Sequence, residues 1–185
     1  MGKRELPDIL TDQEEKSLLD VFNPRYPTSC RNRVMILLAL STGMRVGDII
    51  SLQWSDIELD SGRTHVKLGK GKKDRVIFIK PEVLSDMVDL SAKMDRERSG
   101  LVFSTLKGKP VQSQYLRRMI GEKAKKAGIE KRVYFHLLRH SYLSKLYGRT
   151  MDIRLVQEVA GHSDISTTQI YTHVSGADVK AAMLE

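Results

Sequence analysis

The stretch Phe135–Val174 gathers His136, Arg139, His140, His162, Tyr171 and His173 into under a quarter of the chain. On a helix, His136, Arg139 and His140 would share one side, because residues three and four apart are neighbours there. An arginine guanidinium is a planar fork of donors suited to two oxygens of one phosphate, and a histidine can donate a hydrogen bond or move a proton. Tyr171 follows His162 by nine residues. A tyrosine hydroxyl, with a pKa of about 10, is a poor nucleophile at neutral pH. Beside cationic donors and an oriented phosphate it becomes a competent one. These residue types together point to covalent phosphoryl transfer.

Four boxes then carry a resemblance. HLLRH (His136–His140), GHSDISTTQIYTHV (Gly161–Val174), STGMRVGDI (Ser41–Ile49) and GKGKKDR (Gly69–Arg75) resemble the signature boxes of the tyrosine recombinases, the phage-integrase and Xer-like family. They occur in the family's order, at similar spacings, over most of the chain. The resemblance implies that Arg45, His136 and Arg139 build the phosphate clamp and that His162 contacts the scissile phosphate. It makes Lys70, between the two glycines of its turn, the catalytic lysine, and Tyr171 the nucleophile. The chemistry it implies is a 3′-phosphotyrosyl link to DNA, made and resealed without metal or ATP. Other readings of single residues remain: Arg45 as an ordinary surface arginine, Lys70 as part of a solvated basic loop, Tyr171 as a surface tyrosine. Asp48, one turn after Arg45, is expected to support the clamp, and His140 to be a hydrogen-bonded structural histidine. His136 and His140 at i, i+4 are also a possible metal pair with His162 or His173, but the glutamate of the zinc-hydrolase HExxH pattern is missing; no metal and no cofactor are expected.

Bulk properties agree with a polyanionic partner. The net charge is +8 and the pI about 9.6, which favours nucleic acid or an anionic surface. Hydrophobic residues make up 41% and charged ones 29%, a composition that folds. No apolar run reaches the roughly 18 residues of a membrane span, so no membrane role is expected. Cys30 is the single cysteine and cannot form an internal disulfide, so a reducing cytosol is expected, and with a DNA partner a cytoplasmic, nucleoid-associated location.

The elements that must position these residues are mainly helical. Thr11 with Glu14 is a capping-box pattern opening a helix that Pro24 and Pro27 stop. Arg31–Leu40 is apolar almost all round and reads as a buried central helix. Thr42-Gly43 breaks it, and a short helix begins near Arg45. Ile57–Leu59, Thr64–Leu68 and Arg75–Ile79 predict a small three-stranded antiparallel sheet. Pro81 opens a helix to about Met94, and Ser113–Ala127 is a helix ended by Gly128. Its Arg117, Arg118, Lys123, Lys125 and Lys126, with Lys72 and Lys73 from the earlier turn, are expected to contact the DNA backbone. Phe135 starts the histidine helix, and Asp152–Ala160 forms another. The organisation expected is a flexible lead-in over 1–10, a catalytic domain over 11–174 of the DNA breaking-rejoining kind, and a C-terminal helix over 175–185. By resemblance, that last helix docks on a neighbouring protomer, so self-association on double-stranded DNA, as dimer to tetramer, is expected.

Full-length members of that family carry a separate helical DNA-binding domain ahead of this one, and only a short stretch precedes the Arg45 box here. The chain is expected to be a fragment or to resemble short members such as fimbrial-switch invertases. Two alternatives share much of the same residue set: a type IB topoisomerase-like enzyme that relaxes DNA, and a DNA-binding relative without catalysis.

Overall fold

Thr11 opens the first helix as the sequence predicts. Its hydroxyl accepts the Glu14 N–H while the Glu14 carboxylate accepts the Thr11 N–H, so two otherwise unpaired donors are satisfied reciprocally. The computed structural model describes residues 9–67 and 74–161. Helix α1 spans Asp12–Asp20, and α2 spans Pro27–Thr42 with Pro27 in its first turn. Helix α2 is apolar on most sides and fully packed: Met35, Ile36, Leu38 and Ala39 are buried. It is the axis of the fold, in contact with α1, with α3 (Val46–Ser51), with α4 (Pro81–Lys93) and with α6 (Phe135–Thr150).

Two strands follow α3, β1 (Arg63–Val66) and β2 (Arg75–Phe78), paired antiparallel with Arg63 opposite Phe78 and Val66 opposite Arg75. The three-stranded sheet expected from the sequence is thus two-stranded among the described residues. The run Ile57–Leu59 contributes one bridge, Ile57 to Thr64. The reason is local. Trp54–Asp56 coils into a 3₁₀ turn whose Gln53 N–H is taken by the Asp56 carboxylate. The chain then reverses at once, with Glu58 N–H bonded to Arg63 O and Gly62 N–H to Glu58 O, leaving no length for a ladder.

Helix α5 spans Ser113–Lys126 and buries Leu116, Met119, Ile120 and Ala124; Gly128, just beyond its end, has φ +74°. Helix α7 spans Ile153–Ala160, capped at its start by the Asp152 carboxylate, which accepts the N–H groups of Arg154 and Leu155. It rests on α6 through Val156 and Ala160 against Leu143, and it also touches β2. The N-terminal segment is tied to α6: Leu10 N–H donates to Ser141 Oγ at 2.8 Å, and Lys145 pairs with Asp12 and Glu15. Among the described residues no helix is long and apolar enough to cross a membrane. The expected C-terminal helix over 175–185 and most of the lead-in lie outside the described residues.

Gly62 is the tightest turn residue. Its φ is +70°, and a Cβ there would stand 2.2 Å from the carbonyl oxygen of Ile79, while its own carbonyl accepts the Ile79 N–H at 2.9 Å. Gly62→Ala therefore combines a left-handed backbone with a clash against main chain that cannot swing away. It should destabilise the fold by roughly 2 kcal/mol or more, read as a lowered melting temperature. A variant melting within about a degree of the parent would contradict this packing.

Candidate active site

Three of the expected site residues converge from two ends of the chain. Helix α2 ends at Gly43, whose φ of +67° puts it in the left-handed region, and a Cβ there would meet the Tyr142 ring at 2.7 Å. The chain turns on this glycine and restarts as α3, with Arg45 as the residue before the first turn. Arg45 is half-buried, and its Nη2 points to the carbonyl oxygen of Gly161 at 3.4 Å. Asp48 Oδ2 accepts the Arg45 backbone N–H at 3.3 Å.

Arg139 comes from the second turn of α6 and is 1% exposed. Its Nη1 donates to Gly43 O and its Nη2 to Ala160 O, both at 2.7 Å. Each acceptor lies at the C-terminal end of a helix, α2 or α7, where the helix dipole is negative. Arginine was expected to present itself to a ligand, and here it also rivets three helices.

His136 sits in the first turn of α6 and retains much of its surface, whereas His140 is buried at 6% exposed. Removal of water by the surrounding protein lowers the His136 pKa below its ordinary 6.5, and the charges of Arg139 and Arg45 push the same way. Burial lowers His140 as well, with His136 adding to it. Arg45, His136 and Arg139 are therefore close enough to act on one another electrically, and the surroundings of His136 favour its neutral form.

A groove of about 1110 Å³ opens beside His136. Its walls include Val46, Arg117, Lys125, Lys131, Tyr134 and His140. Tyr134 precedes α6 without capping it by its side chain, so the positive end of a 16-residue helix faces this region. The basic residues expected on α5 do not form one face. Arg117 and Lys125 line this groove, while Arg118 and Lys123 line a separate depression with Tyr26 and Asn32. Lys123 lays its ammonium over the Phe22 ring at 5.0 Å, and Arg118 stands 3.8 Å from Glu122; Lys126 is exposed outside both. Lys131 and Arg132, which join the groove, were not singled out by spacing. Arg75, buried against Asp48 at 2.8 Å, was missed too, because only its partner marks it. Lys70, Lys72, Lys73, His162 and Tyr171 lie outside the described residues.

The sequence profile of the phage integrase family matches residues 8–177. Tyrosine recombinase XerD of Halalkalibacterium halodurans is 40% identical over 178 residues, covering 93% of this chain and 59% of that protein. The chain thus spans about three-fifths of the length of such curated relatives. The crystal structure of XerA recombinase superposes with a TM-score of 0.83 at 28% identity, covering 97% of this chain and 65% of that one. XerH site-specific recombinase, bound to palindromic difH substrate in a post-cleavage complex, gives 0.81 at 29% identity over 97% of this chain and 53% of its own.

The histidines supply a direct check. Both pKa values are lowered by the fold, so the stability they contribute is full above pH 6.5 and is lost as pH falls through their folded values. Ring C–H resonances followed by NMR should titrate with midpoints below 6.5 for His136 and His140. Arg45→Met should raise the His136 midpoint by removing a neighbouring positive charge. A midpoint above 6.5, or one indifferent to Arg45, would contradict the site's geometry.

Proposed function

The chain belongs to the phage integrase family, and from that premise we propose that it is the catalytic part of a site-specific DNA recombinase that cuts and rejoins strands through a 3′-phosphotyrosyl intermediate. The observation that carries this reading is the union of Arg45, His136 and Arg139 beside a basic groove. The partner is double-stranded DNA, as the complexes of XerH with its difH substrate suggest by similarity. Self-association on DNA and action in the cytoplasm, at the nucleoid, belong to the same proposal.

In this mechanism the Tyr171 oxygen attacks the scissile phosphorus, forming a phosphotyrosyl bond as the bond to the 5′ oxygen breaks. Arg45 and Arg139 offset charge on the non-bridging oxygens in the pentavalent transition state, and His162 adds a hydrogen bond there. His136, whose surroundings favour its neutral form, can accept the tyrosine's proton. Lys70 gives a proton to the departing 5′ oxygen. Reversal by a second strand's 5′-hydroxyl reseals DNA with no net loss of phosphodiester bonds, so no ATP enters the balance. Arg117, Lys125 and the positive end of α6 hold the backbone alongside; Lys72 and Lys73 add non-specific phosphate contacts, while Arg118, Lys123 and Lys126 reach more distant ones.

Relaxation of the topoisomerase type uses the same covalent step without exchange of partners, and no observation here favours it. Tyr171→Phe tests the nucleophile. On a nicked duplex that traps the cleaved strand, the parent should form a covalent protein–DNA adduct visible on a denaturing gel. The variant should form none while binding DNA nearly as well. An adduct with Tyr171→Phe would overturn the assignment.

A further inference from the structure

Two carboxylates near the site each hold two groups at once. Asp48 Oδ2 accepts the backbone N–H of Arg45 at 3.3 Å and a guanidinium N–H of Arg75 at 2.8 Å. Asp56 accepts the Gln53 N–H through Oδ2 and the Lys67 ammonium through Oδ1. Lys67 and Arg75 lie on either side of residues 68–73 in the sequence, at the end of β1 and the start of β2. Each strand is therefore tied to the start of a helical turn by an ion pair. The two ties are unequal. Lys67's side chain is 67% exposed, and a pair so open to water contributes little. Arg75 and Asp48 are 5% and 11% exposed.

Arg75 is an expensive residue to keep in that place. Its Nε and Nη1 are buried and have no hydrogen-bond partner among the described residues, and apolar side chains often replace a buried ion pair with no loss of stability. What the pair does have is a geometric consequence. The carboxylate oxygen that Arg75 grips is the one that holds the Arg45 main chain at the point where α2 has ended and α3 begins. If Asp48 rotates, the Arg45 N–H loses its acceptor, and the Arg45 main chain is no longer held in place relative to His136 and the end of α7.

We infer that Arg75 is a positioning residue for Arg45: by fixing Asp48 it sets the Arg45 guanidinium at the place where the scissile phosphate is received. Arg75 makes no contact with DNA in this role. It acts through one Asp48 oxygen, Oδ2, which accepts a hydrogen bond from Arg75 and another from the Arg45 backbone N–H. The inference rests on the proposed recombinase chemistry, so its test separates the two.

The test measures single-turnover adduct formation on nicked duplexes with either an ordinary scissile phosphodiester or a methylphosphonate at that position. A methylphosphonate carries no negative charge, so it relies far less on an arginine to neutralise one. Arg75→Met should slow adduct formation on the phosphodiester by roughly 10²-fold, the size expected when a reacting group shifts by about 1 Å. On the methylphosphonate the same variant should lose less than about a tenth of that factor, and Arg45→Ala should show the same pattern. Arg75→Lys keeps the charge without the fork and should recover most of the rate on the phosphodiester. Should Arg75→Met melt below the assay temperature, Arg75→Lys and the parent carry the comparison alone: a residual Arg75→Lys defect confined to the phosphodiester supports the inference. Equal slowing on both substrates, or no slowing in any Arg75 variant, overturns it. A parent that forms no adduct on either substrate overturns the proposed function, and this inference with it.

Discussion

The buried guanidinium of Arg139 is the constraint on which the rest of the structure turns. At 1% exposure, a cation survives only if fixed polar groups replace its water. Here they are the carbonyl oxygens of Gly43 and Ala160, at the negative ends of α2 and α7. Hydrogen bonds from a charged donor contribute about 1.5–3 kcal/mol each, which matters for α7 in particular. That helix has 8 residues and meets α6 through a cluster whose buried members are Leu143, Val156 and Ala160. Tyr142, Leu146, Tyr147 and Val159 pack partly buried around them, and the polar rivet adds to this apolar contact at the end of the helix.

The same rivet makes the site positive and keeps it so. Arg45 adds a weaker contact to Gly161 O at 3.4 Å, beside the bond Arg139 makes to Ala160. Burial, and then the two guanidinium groups drawn to one helix end, lower the His136 pKa, so the site favours the neutral imidazole. Arg117, Lys125 and the start of α6 extend the positive field along the groove, while Asp48 is neutralised by its buried pair with Arg75. An anion entering there would meet charge that was oriented during folding.

Signals confined to a few neighbouring residues were legible in the sequence. The Thr11–Glu14 box, Pro81 at a helix start, the break at Gly43 and the stop at Gly128 each rest on local backbone chemistry, and those helix ends formed as predicted. Pro27, expected to stop α1, instead opens α2 four residues ahead of the expected Arg31, because its missing N–H and fixed φ suit a first helical turn. The buried axis of α2 was legible for a related reason, since apolar residues all round a helix leave no solvent face. The third strand was not. Strand pairing needs a partner of matching length, and the 3₁₀ turn ahead of Ile57 and the reversal after Glu58 removed it. The α5 cations show the same limit. Arg118 and Lys123 look equivalent to Arg117 and Lys125 in sequence, but α5 presents them to a different depression. Arg75 and the burial of Arg139 depend on partners 27 and 96 residues away, and no local pattern encodes those.

Hydrogen exchange in an Arg139→Met variant is the most direct measurement of the central claim, because methionine keeps the bulk and removes the two bonds. Exchange should quicken over Ile153–Gly161 and over the last turn of α2, while α4 and α5 keep the parent's protection. Unchanged protection over Ile153–Gly161, or a uniform loss across every helix, would contradict the claim that Arg139 holds the ends of α2 and α7 together.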